Sequence, residues 1–530
     1  MNNSPKVPSA DKNQGDERLL LDRRRFLAGC AACAFGAFGT GGLMALAAKA
    51  AGAEAVARPK VKLVFSYPSS ESPIWPNIGY DFDKRKKELT TMLTKYCHGL
   101  DLTPVTVMNA DQADKLLQED KKSDGFLIYI LGLWSGAPRV IGASGRPCIF
   151  ADDLYGGSGE FLSNYAAARR NNWKVAGVSS SRVEDVAAAA ECFRILKQPG
   201  GSVEAFLVAA DNARKAATKQ AGDMKCPEDP VQTIPIKACL KKMKSCKILT
   251  VGGGWGMPTI SLAIRTTIGA RVEFIQFEEL HQAYLDADRV EAGRWADKWS
   301  AEAEKIVEPK PKDIQDSGAM YIAMLELLKR HKAQAITINC LGGFYGKHIT
   351  AYPCLGFRQL NDDGLVGACE SDIRSTLTML VAGALTGRPG FISDPVIDTS
   401  KGQIIYAHCV GPTKVFGQSG PSSPFHIRSH SEDRKGAAIR SLLPLGYMTT
   451  SLEIDCEARQ IIMHQGKTVE NVDEDKACRT KLAAEVRGDI DKLFCEWDRW
   501  GWHRVTFYGD IKPEIEALAD ALHFSIIEEA

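Results

Sequence analysis

The chain has 530 residues, of which 45% are hydrophobic, and its 66 basic and 65 acidic residues nearly balance. A chain of this length exceeds one ordinary hydrophobic core, so about two to four domains are expected. The balanced charge, with no basic stripe interleaved with aromatic residues, argues against a nucleic-acid partner.

The N-terminal segment, residues 1–57, is predicted to be an export signal. Arg23 and Arg24, one further position and then Phe-Leu lead into an uncharged, Ala/Gly-rich stretch, Phe26–Ala48. This order resembles a twin-arginine signal, and small residues offer a cleavage site after Ala50. The alternative is a retained membrane anchor, since 23 uncharged residues can span a bilayer. The export reading predicts a periplasmic protein with no stable membrane anchor after cleavage.

Cysteine usage agrees with folding before export. Cys30 and Cys33 lie in the signal, which leaves thirteen of the 15 cysteines scattered singly, without a CxxC pair or zinc-like spacing. A secreted disulfide scaffold is typically short and evenly paired. The twin-arginine route carries proteins already folded in the reducing cytoplasm, so we expect mostly free thiols.

Residues 58–200 are predicted to form a doubly wound α/β domain. Short apolar strands alternate there with charged helical stretches, which indicates a mostly parallel sheet covered by helices. The predicted strands are VKLVFSYP, TPVTVM, DGFLIYIL, RPCIFADD and WKVAGVSS. Lys197–Gly201, with one proline and two glycines, is the predicted boundary.

Two further domains follow. Residues 201–355 repeat the α/β pattern, with the predicted strands CKILTVGGGWG, ARVEFIQF and AQAITINC. In residues 356–530 a helix precedes many short strands, which predicts a small β-barrel or sandwich. The predicted fold is therefore α/β, with two doubly wound, Rossmann-like or flavodoxin-like domains followed by a C-terminal β-rich, barrel-like domain.

A glycine cluster, Gly252–Gly256, follows the first strand of the second α/β domain. It could cradle a phosphate, with Glu278 near the distance expected of a ribose-binding acid. The spacing is not GxGxxG, and such clusters also occur wherever a turn approaches a neighbouring backbone. Both interpretations stay open on the sequence alone.

The stretch from Gly367 to Pro395 predicts a helix–strand hairpin with an acid at each end. Apolar residues recur on one helical face, Gly387 suits the C-terminal cap and Pro389 ends the helix. A strand returning along the helix brings Asp394 back beside Glu370.

Two neighbouring carboxylates repel each other unless a cation lies between them. Hard oxygen ligands suit Mn²⁺ or Mg²⁺, so Glu370 and Asp394 are candidate metal ligands. The alternative is structural: Glu370 caps the helix and Asp394 makes a turn with Pro395.

The segment from about Cys354 to His408, with GACESD, FISDP and YAHC in that order, resembles the metal-site segment of the L-fucose isomerase-like family, relatives of L-arabinose isomerase. The order of two α/β domains and a β-rich domain is similar too, although before Gly200 the resemblance is only architectural. It implies a metal held by one Glu, one Asp and one late His. These roles carry over to Glu370, Asp394 and His503; a packed core histidine is the alternative for His503.

Other side chains are candidate sugar contacts. His408 follows Asp394 closely enough to face the same pocket. His430, with the nearby His426, either projects into the site or lies on a solvated edge strand. Trp502 belongs to an aromatic cluster that suits either the C–H face of a sugar or a plain core.

The resemblance implies a metal-dependent aldose–ketose isomerase that acts on a fucose- or arabinose-like monosaccharide through an ene-diol intermediate. Glu370 and Asp394 then serve as metal ligands and as the catalytic acid/base pair, with Mn²⁺ or another divalent cation such as Mg²⁺ as the cofactor. It also implies a homo-oligomer, a trimer or hexamer. The alternatives are an exported sugar-binding protein or a non-isomerase relative, such as an epimerase or a degenerate binding protein.

Overall fold

The computed structural model describes residues 57–254 and 256–530. The predicted export signal lies outside the described residues except for Ala57. Among the described residues, every helix is too short or too polar to cross a lipid bilayer. The thirteen cysteines in this part of the chain are free thiols, as predicted.

The first α/β domain is built on a five-stranded parallel sheet in the order β2-β1-β3-β4-β5, the strand order of flavodoxin-like folds. Its strands are β1 (Lys60–Ser66), β2 (Asp101–Val107), β3 (Gly125–Ile130), β4 (Cys148–Asp152) and β5 (Val175–Ser179). Every residue of β3, β4 and β5 is buried, as expected of a parallel sheet with helices on both faces.

Side-chain caps begin several of the covering helices. Asp81, Asn109 and Ser202 each accept a hydrogen bond from a backbone N–H in the first turn that follows. The helices are α1 (Phe82–Tyr96), α2 (Ala110–Glu119), α3 (Ala137–Gly142), α4 (Ser158–Arg170), α5 (Val183–Glu191) and α6 (Val203–Ala217).

The second α/β domain repeats the design with four parallel strands in the order β10-β9-β6-β7. The strands of this region are β6 (Lys247–Val251), β7 (Arg271–Ile275), β8 (Lys305–Ile306), β9 (Ala335–Ile338) and β10 (Val366–Cys369). The helices are α7 (Ile236–Met243), α8 (Met257–Thr267), α9 (Phe277–Asp286), α10 (Arg289–Glu302), α11 (Pro311–Arg330), α12 (Cys340–Tyr345) and α13 (Cys354–Asp362). The sheet extends past the predicted boundary at residue 355, because β10 is its edge strand.

The C-terminal strands form a closed six-stranded antiparallel barrel, which decides between the predicted barrel and sandwich. The ring runs β15-β18-β11-β12-β17-β16 and closes where β15 pairs with β16. The strands are β11 (Phe391–Asp398), β12 (Gln403–His408), β13 (Phe425–Arg428), β14 (Ala438–Ser441), β15 (Met448–Asp455), β16 (Gln460–Asn471), β17 (Thr480–Arg487), β18 (Arg504–Tyr508) and β19 (Ser525–Glu528). Outside the ring, β19 adds to β16, while β13 pairs with β14 and β8.

Three helices complete this part of the chain: α14 (Ile373–Thr386), α15 (Ile490–Glu496) and α16 (Lys512–Leu522). The predicted hairpin is present. Helix α14 ends at Gly387, which takes the left-handed conformation with φ 67°, and the chain returns as β11. The hairpin joins the edge strand of the second sheet to the barrel, so its open end lies where these two units meet.

Candidate metal centre

The loop after β10 presents Glu370 in an unusual backbone conformation. Glu370 and Ser371 both have positive φ, 63° and 51°, a region that residues other than glycine rarely adopt. The Ser371 hydroxyl donates to the Val251 carbonyl at 3.0 Å, and its N–H donates to the Ile338 carbonyl at 3.0 Å. These bonds anchor the loop to two strands of the second sheet, so the position of Glu370 is set by packed backbone.

The glycine cluster supports the same loop. A Cβ added at Gly254 would lie 2.8 Å from the Ser371 carbonyl oxygen, and one at Gly252 would collide with the Phe277 ring. The glycines therefore stand where a turn approaches neighbouring backbone and side chains, the second of the two interpretations of this motif. A phosphate is not needed to explain them.

Helix α14 is capped by Asp372 and not by Glu370. The Asp372 carboxylate accepts the Ser375 backbone N–H at 2.9 Å, and its other oxygen accepts the Ser375 hydroxyl at 2.9 Å. The structural alternative for Glu370, that it caps this helix, is therefore wrong. The alternative for Asp394 is wrong as well, because Asp394 lies inside β11, in register with Ala407, and makes no turn with Pro395.

Asp394 is held from the barrel side. The indole N–H of Trp502 donates to Asp394 Oδ1 at 2.7 Å, and the Cys478 thiol lies 3.9 Å from Oδ2. Because β11 lies between β12 and β18, the strand ends that carry His408 and His503 flank it on both sides.

The two histidines face both acids. His408 Nε2 is 3.6 Å from Glu370 Oε1 and 3.9 Å from Asp394 Oδ2. His503 Nε2 is 3.6 Å from Glu370 Oε2 and 3.2 Å from Asp394 Oδ1. The Nδ1 atom of His503 lies 2.9 Å from Asp372 Oδ2, so a proton on Nδ1 is held by that carboxylate and Nε2 is left free to bind a cation.

These residues fit a divalent cation. One donor atom from each of Glu370, Asp394, His408 and His503 lies within 4.8 Å of the others, the one such group found in the described residues. Donors about 2.1 Å from one metal lie about 3 to 4 Å from each other in octahedral geometry. Within the described ranges, both ring nitrogens of His408 and Nε2 of His503 are buried without a hydrogen-bond partner of good geometry. Orphaned nitrogens of this kind are costly unless a ligand satisfies them.

Electrostatics distinguish the two carboxylates. Burial and repulsion by Asp394 raise the pKa of Glu370. Burial also acts on Asp394, but the proximity of His503 and His408 and the hydrogen bond from Trp502 outweigh it and lower the pKa of Asp394. Burial opposes ionisation of Asp372 too, yet the His503 hydrogen bond and charge lower its pKa to about 2. Asp394 and Asp372 therefore favour the ionised form, whereas Glu370 is the most readily protonated of the three acids.

The structure brings Glu370, Asp394 and His503 together, as the resemblance implies. His408, predicted as a sugar contact, lies among the donors themselves. Trp502, also predicted as a sugar contact, donates to Asp394, and its ring approaches Gly159 of the first α/β domain.

His430 is not one of the four clustered donors. Its Nδ1 is 3.1 Å from Asp433 Oδ1, and its ring packs edge-on against Phe344. Asp433 and Tyr345 line a cavity of about 540 Å³ to which none of the four donors contributes. A sugar contact from His430 stays a prediction.

Sequence reasoning missed the roles of Asp372 and His408 at the centre. The spacing of Asp372 and Ser375 is a recognisable N-cap signal, but nothing local indicates that the same carboxylate reaches His503. His408 ends the strand QIIYAH, and its role depends on the pairing of β12 with β11.

Comparison with known proteins adds an independent observation. The chain is 25% identical over 293 residues to the sulfoquinovose isomerase of Clostridium sp. (strain MSTE9), a match that covers 53% of this chain and 64% of that protein. It is 21% identical over 306 residues to the sulfoquinovose isomerase of Priestia aryabhattai, covering 55% of this chain and 66% of the relative. No protein-family model matches the chain. The chain thus spans somewhat less than two thirds of the length of these relatives, and over that length it is similar to sugar isomerases.

Proposed function

We propose that this protein is a metal-dependent aldose–ketose isomerase that acts on a monosaccharide, and that it belongs with the L-fucose isomerase-like proteins. The observation that carries the proposal is the cluster of the half-buried Glu370 with the buried Asp394, His408 and His503, which unites two carboxylates and two imidazoles in a chain similar to sugar isomerases. A divalent cation such as Mn²⁺ or Mg²⁺, when bound by these four side chains, supplies Lewis-acid polarisation of two neighbouring sugar oxygens.

Aldose–ketose isomerisation moves one proton between two adjacent carbons. A carboxylate takes the proton from C2 while O1 gains a proton, which leaves an ene-diol. Water supplies the proton that O1 gains and takes back the proton that O2 then loses, while the carboxyl returns its proton to C1 and becomes a carboxylate again. The chemistry needs an acid/base group that reaches the sugar and an environment that favours the transfer.

Glu370 is suited to carry this proton. Its side chain is 31% exposed, compared with 11% for Asp394, so it is the more accessible of the two acids. In the site without a cation, burial and repulsion by Asp394 raise its pKa. Asp394, held by Trp502 and His503, is suited to stay ionised.

Two sources indicate which candidate sugars should be tested first. The relatives are named for sulfoquinovose, and the metal-site resemblance points to fucose- or arabinose-like sugars. Sulfoquinovose, L-fucose and L-arabinose are therefore the first sugars to be assayed as substrates.

The test is isomerisation by purified protein loaded with Mn²⁺ and followed by NMR. A ketose is expected from at least one aldose, with deuterium at C1 or C2 when the reaction runs in deuterated water. Product without any exchanged hydrogen would indicate a hydride shift. A C2 epimer without ketose would favour an epimerase, and sugar binding by calorimetry without product would favour a binding protein.

We further propose export to the periplasm, from Arg23 and Arg24 ahead of the uncharged stretch Phe26–Ala48. Replacing both arginines with lysine should retain the protein in the cytoplasm, because the twin-arginine pathway reads the pair itself. Cell fractionation of wild type and the double variant measures this. Unchanged delivery across the membrane would rule out the twin-arginine route.

A further inference from the structure

Behind the candidate metal centre, a series of buried hydrogen bonds connects Glu529, which follows β19, with β12, which ends at His408, and with β18, which begins directly after His503. We propose that Glu529 and Arg504 are positioning residues, which hold the segment 497–503 so that Trp502 and His503 face Asp394. The inference rests on the proposed function, because it assigns the role of this chain of hydrogen bonds to the metal centre.

Arg504 is the central link. Its Nε donates to Glu529 Oε1 at 2.8 Å, and its Nη2 contacts the same oxygen. The arginine is 0% exposed and the glutamate 2%, so the pair is fully removed from water. The Nη1 of Arg504 donates to the backbone carbonyl of His503 at 2.7 Å, one residue away from it in the chain.

The same guanidinium orders the tryptophans. Its Nη2 donates to the Trp497 carbonyl at 3.2 Å, and the Trp497 indole N–H donates to the Trp502 carbonyl at 2.7 Å. The Trp502 indole N–H then donates to Asp394. An unbroken series of hydrogen bonds therefore runs from Glu529 to the carboxylate of the metal centre.

Glu529 also reaches the other histidine-bearing strand. Its Oε2 lies 2.9 Å from His464 Nδ1, and His464 Nε2 lies 2.8 Å from the Tyr406 hydroxyl. Tyr406 belongs to β12, which ends at His408. One buried carboxylate thus connects the strand positions of His503 and His408.

A fully buried ion pair is weak support for stability, because the cost of desolvating two charges offsets most of their attraction. Apolar residues of similar volume usually serve a core equally well. The pair instead fixes the orientation of the turn that precedes β18. The planar guanidinium of Arg504 donates to the carbonyl oxygens of Trp497 and His503, one on each side of that turn.

The test uses Glu529→Gln, which keeps the shape of the side chain and removes its charge. We expect the Mn²⁺ dissociation constant to rise about 10- to 100-fold, the range for groups that orient metal ligands. The visible absorption of the Co²⁺-loaded protein should change, because the geometry around the metal changes. Hydrogen exchange of the backbone amides in 497–503 should accelerate, and this readout needs no metal. Glu529→Asp, which keeps the charge, should restore part of each property.

The control is Asp362→Asn. Asp362 is 2% exposed and pairs with Arg358, which is 3% exposed, so it matches Glu529 in burial and charge but lies in α13. We expect a lower melting temperature in this variant with unchanged Mn²⁺ affinity, Co²⁺ spectrum and exchange in 497–503. If Glu529→Gln does not fold, Arg504→Lys, which keeps the charge but loses the planar fork, takes its place.

The outcomes separate the two proposals. If the wild-type protein binds no divalent cation, the proposed function is wrong. Accelerated exchange confined to 497–503 in Glu529→Gln would still support the positioning role. If Glu529→Gln lowers the melting temperature as the control does, with metal affinity, spectrum and local exchange unchanged, the positioning role is wrong.

Discussion

At the scale of single residues, the two acids of the metal centre differ in what surrounds them. Asp394 is fixed by Trp502 and His503, while Glu370 sits on a left-handed loop and is more exposed. The burial and repulsion that raise the pKa of Glu370 therefore act on the acid that a sugar can reach. This asymmetry supports the proposed roles of Glu370 as the proton carrier and Asp394 as a fixed anion.

Substituting either acid should impair both metal binding and turnover. Glu370→Gln removes the proton carrier and one ligand, so activity should fall about 10²- to 10⁴-fold or more, the usual contribution of a positioned acid/base. Asp394→Asn should do the same by removing the fixed anion. Elemental analysis and the isomerisation assay measure both losses. Full metal content in both variants would show that these residues are not the ligands.

A pair of histidine variants tests whether His408 is a metal ligand. His408→Asn should lower metal content, because the His408 nitrogens are buried without a hydrogen-bond partner of good geometry among the described residues. His430→Asn is the matched control, since His430 is also buried but pairs with Asp433. It should keep full metal content. Equal metal content in the two variants would return His408 to the role of a sugar contact.

At the scale of elements, the start of α14 combines two tasks in one carboxylate. Asp372 caps the helix through the Ser375 N–H and also accepts a hydrogen bond from His503. The first task needs only an oxygen acceptor, which asparagine provides as well as aspartate. The second depends on charge, because the carboxylate strengthens the histidine as a ligand.

Asp372→Asn should therefore separate the two tasks. We expect the free energy of unfolding of the metal-free protein to change by less than about 1 kcal/mol, since the cap is kept. Mn²⁺ affinity should fall about 10- to 100-fold. Asp372→Ala, which removes cap and charge together, should lose both properties. If Asp372→Asn binds Mn²⁺ as tightly as wild type, the contact with His503 has no bearing on the metal.

At the scale of the whole molecule, the candidate metal centre lies between the edge of the second sheet and the barrel. Glu370 follows β10, whereas Asp394, His408 and His503 come from three barrel strands or their ends. A cation held by all four side chains cross-links the two units in the folded state alone. Metal binding should therefore stabilise the fold by mass action.

Removing the metal should lower the melting temperature in a concentration-dependent way. At a free Mn²⁺ concentration 100 times the dissociation constant, the stabilisation is about 2.7 kcal/mol. Calorimetry with chelator and then with increasing Mn²⁺ measures it. Glu370→Gln serves as the control and should show a smaller shift. A melting temperature insensitive to both chelator and Mn²⁺ in the wild type would contradict the cross-link.

The number of subunits, a trimer or hexamer by resemblance to the family, stays a prediction.

Local patterns in the sequence were enough for several features. The apolar face of α14, Gly387 at its end and the apolar strand β11 are signals carried within a few residues, so the hairpin and the convergence of Glu370 and Asp394 could be predicted. The alternation of strands and helices likewise predicted both parallel sheets. Consecutive parallel strands need a crossover connection, and this connection is usually a helix.

Only the tertiary structure decided which strands are neighbours. Strand β11 lies between β12 and β18 because the barrel closes in that order, and register in a closed sheet depends on pairing between distant segments. That pairing places His408 among the candidate donors and turns Trp502 towards Asp394, while the pairing of β19 with β16 brings Glu529 to Arg504. Residue types and short spacings identified the acids of this protein, whereas the partners that hold them come from contacts far apart in the chain.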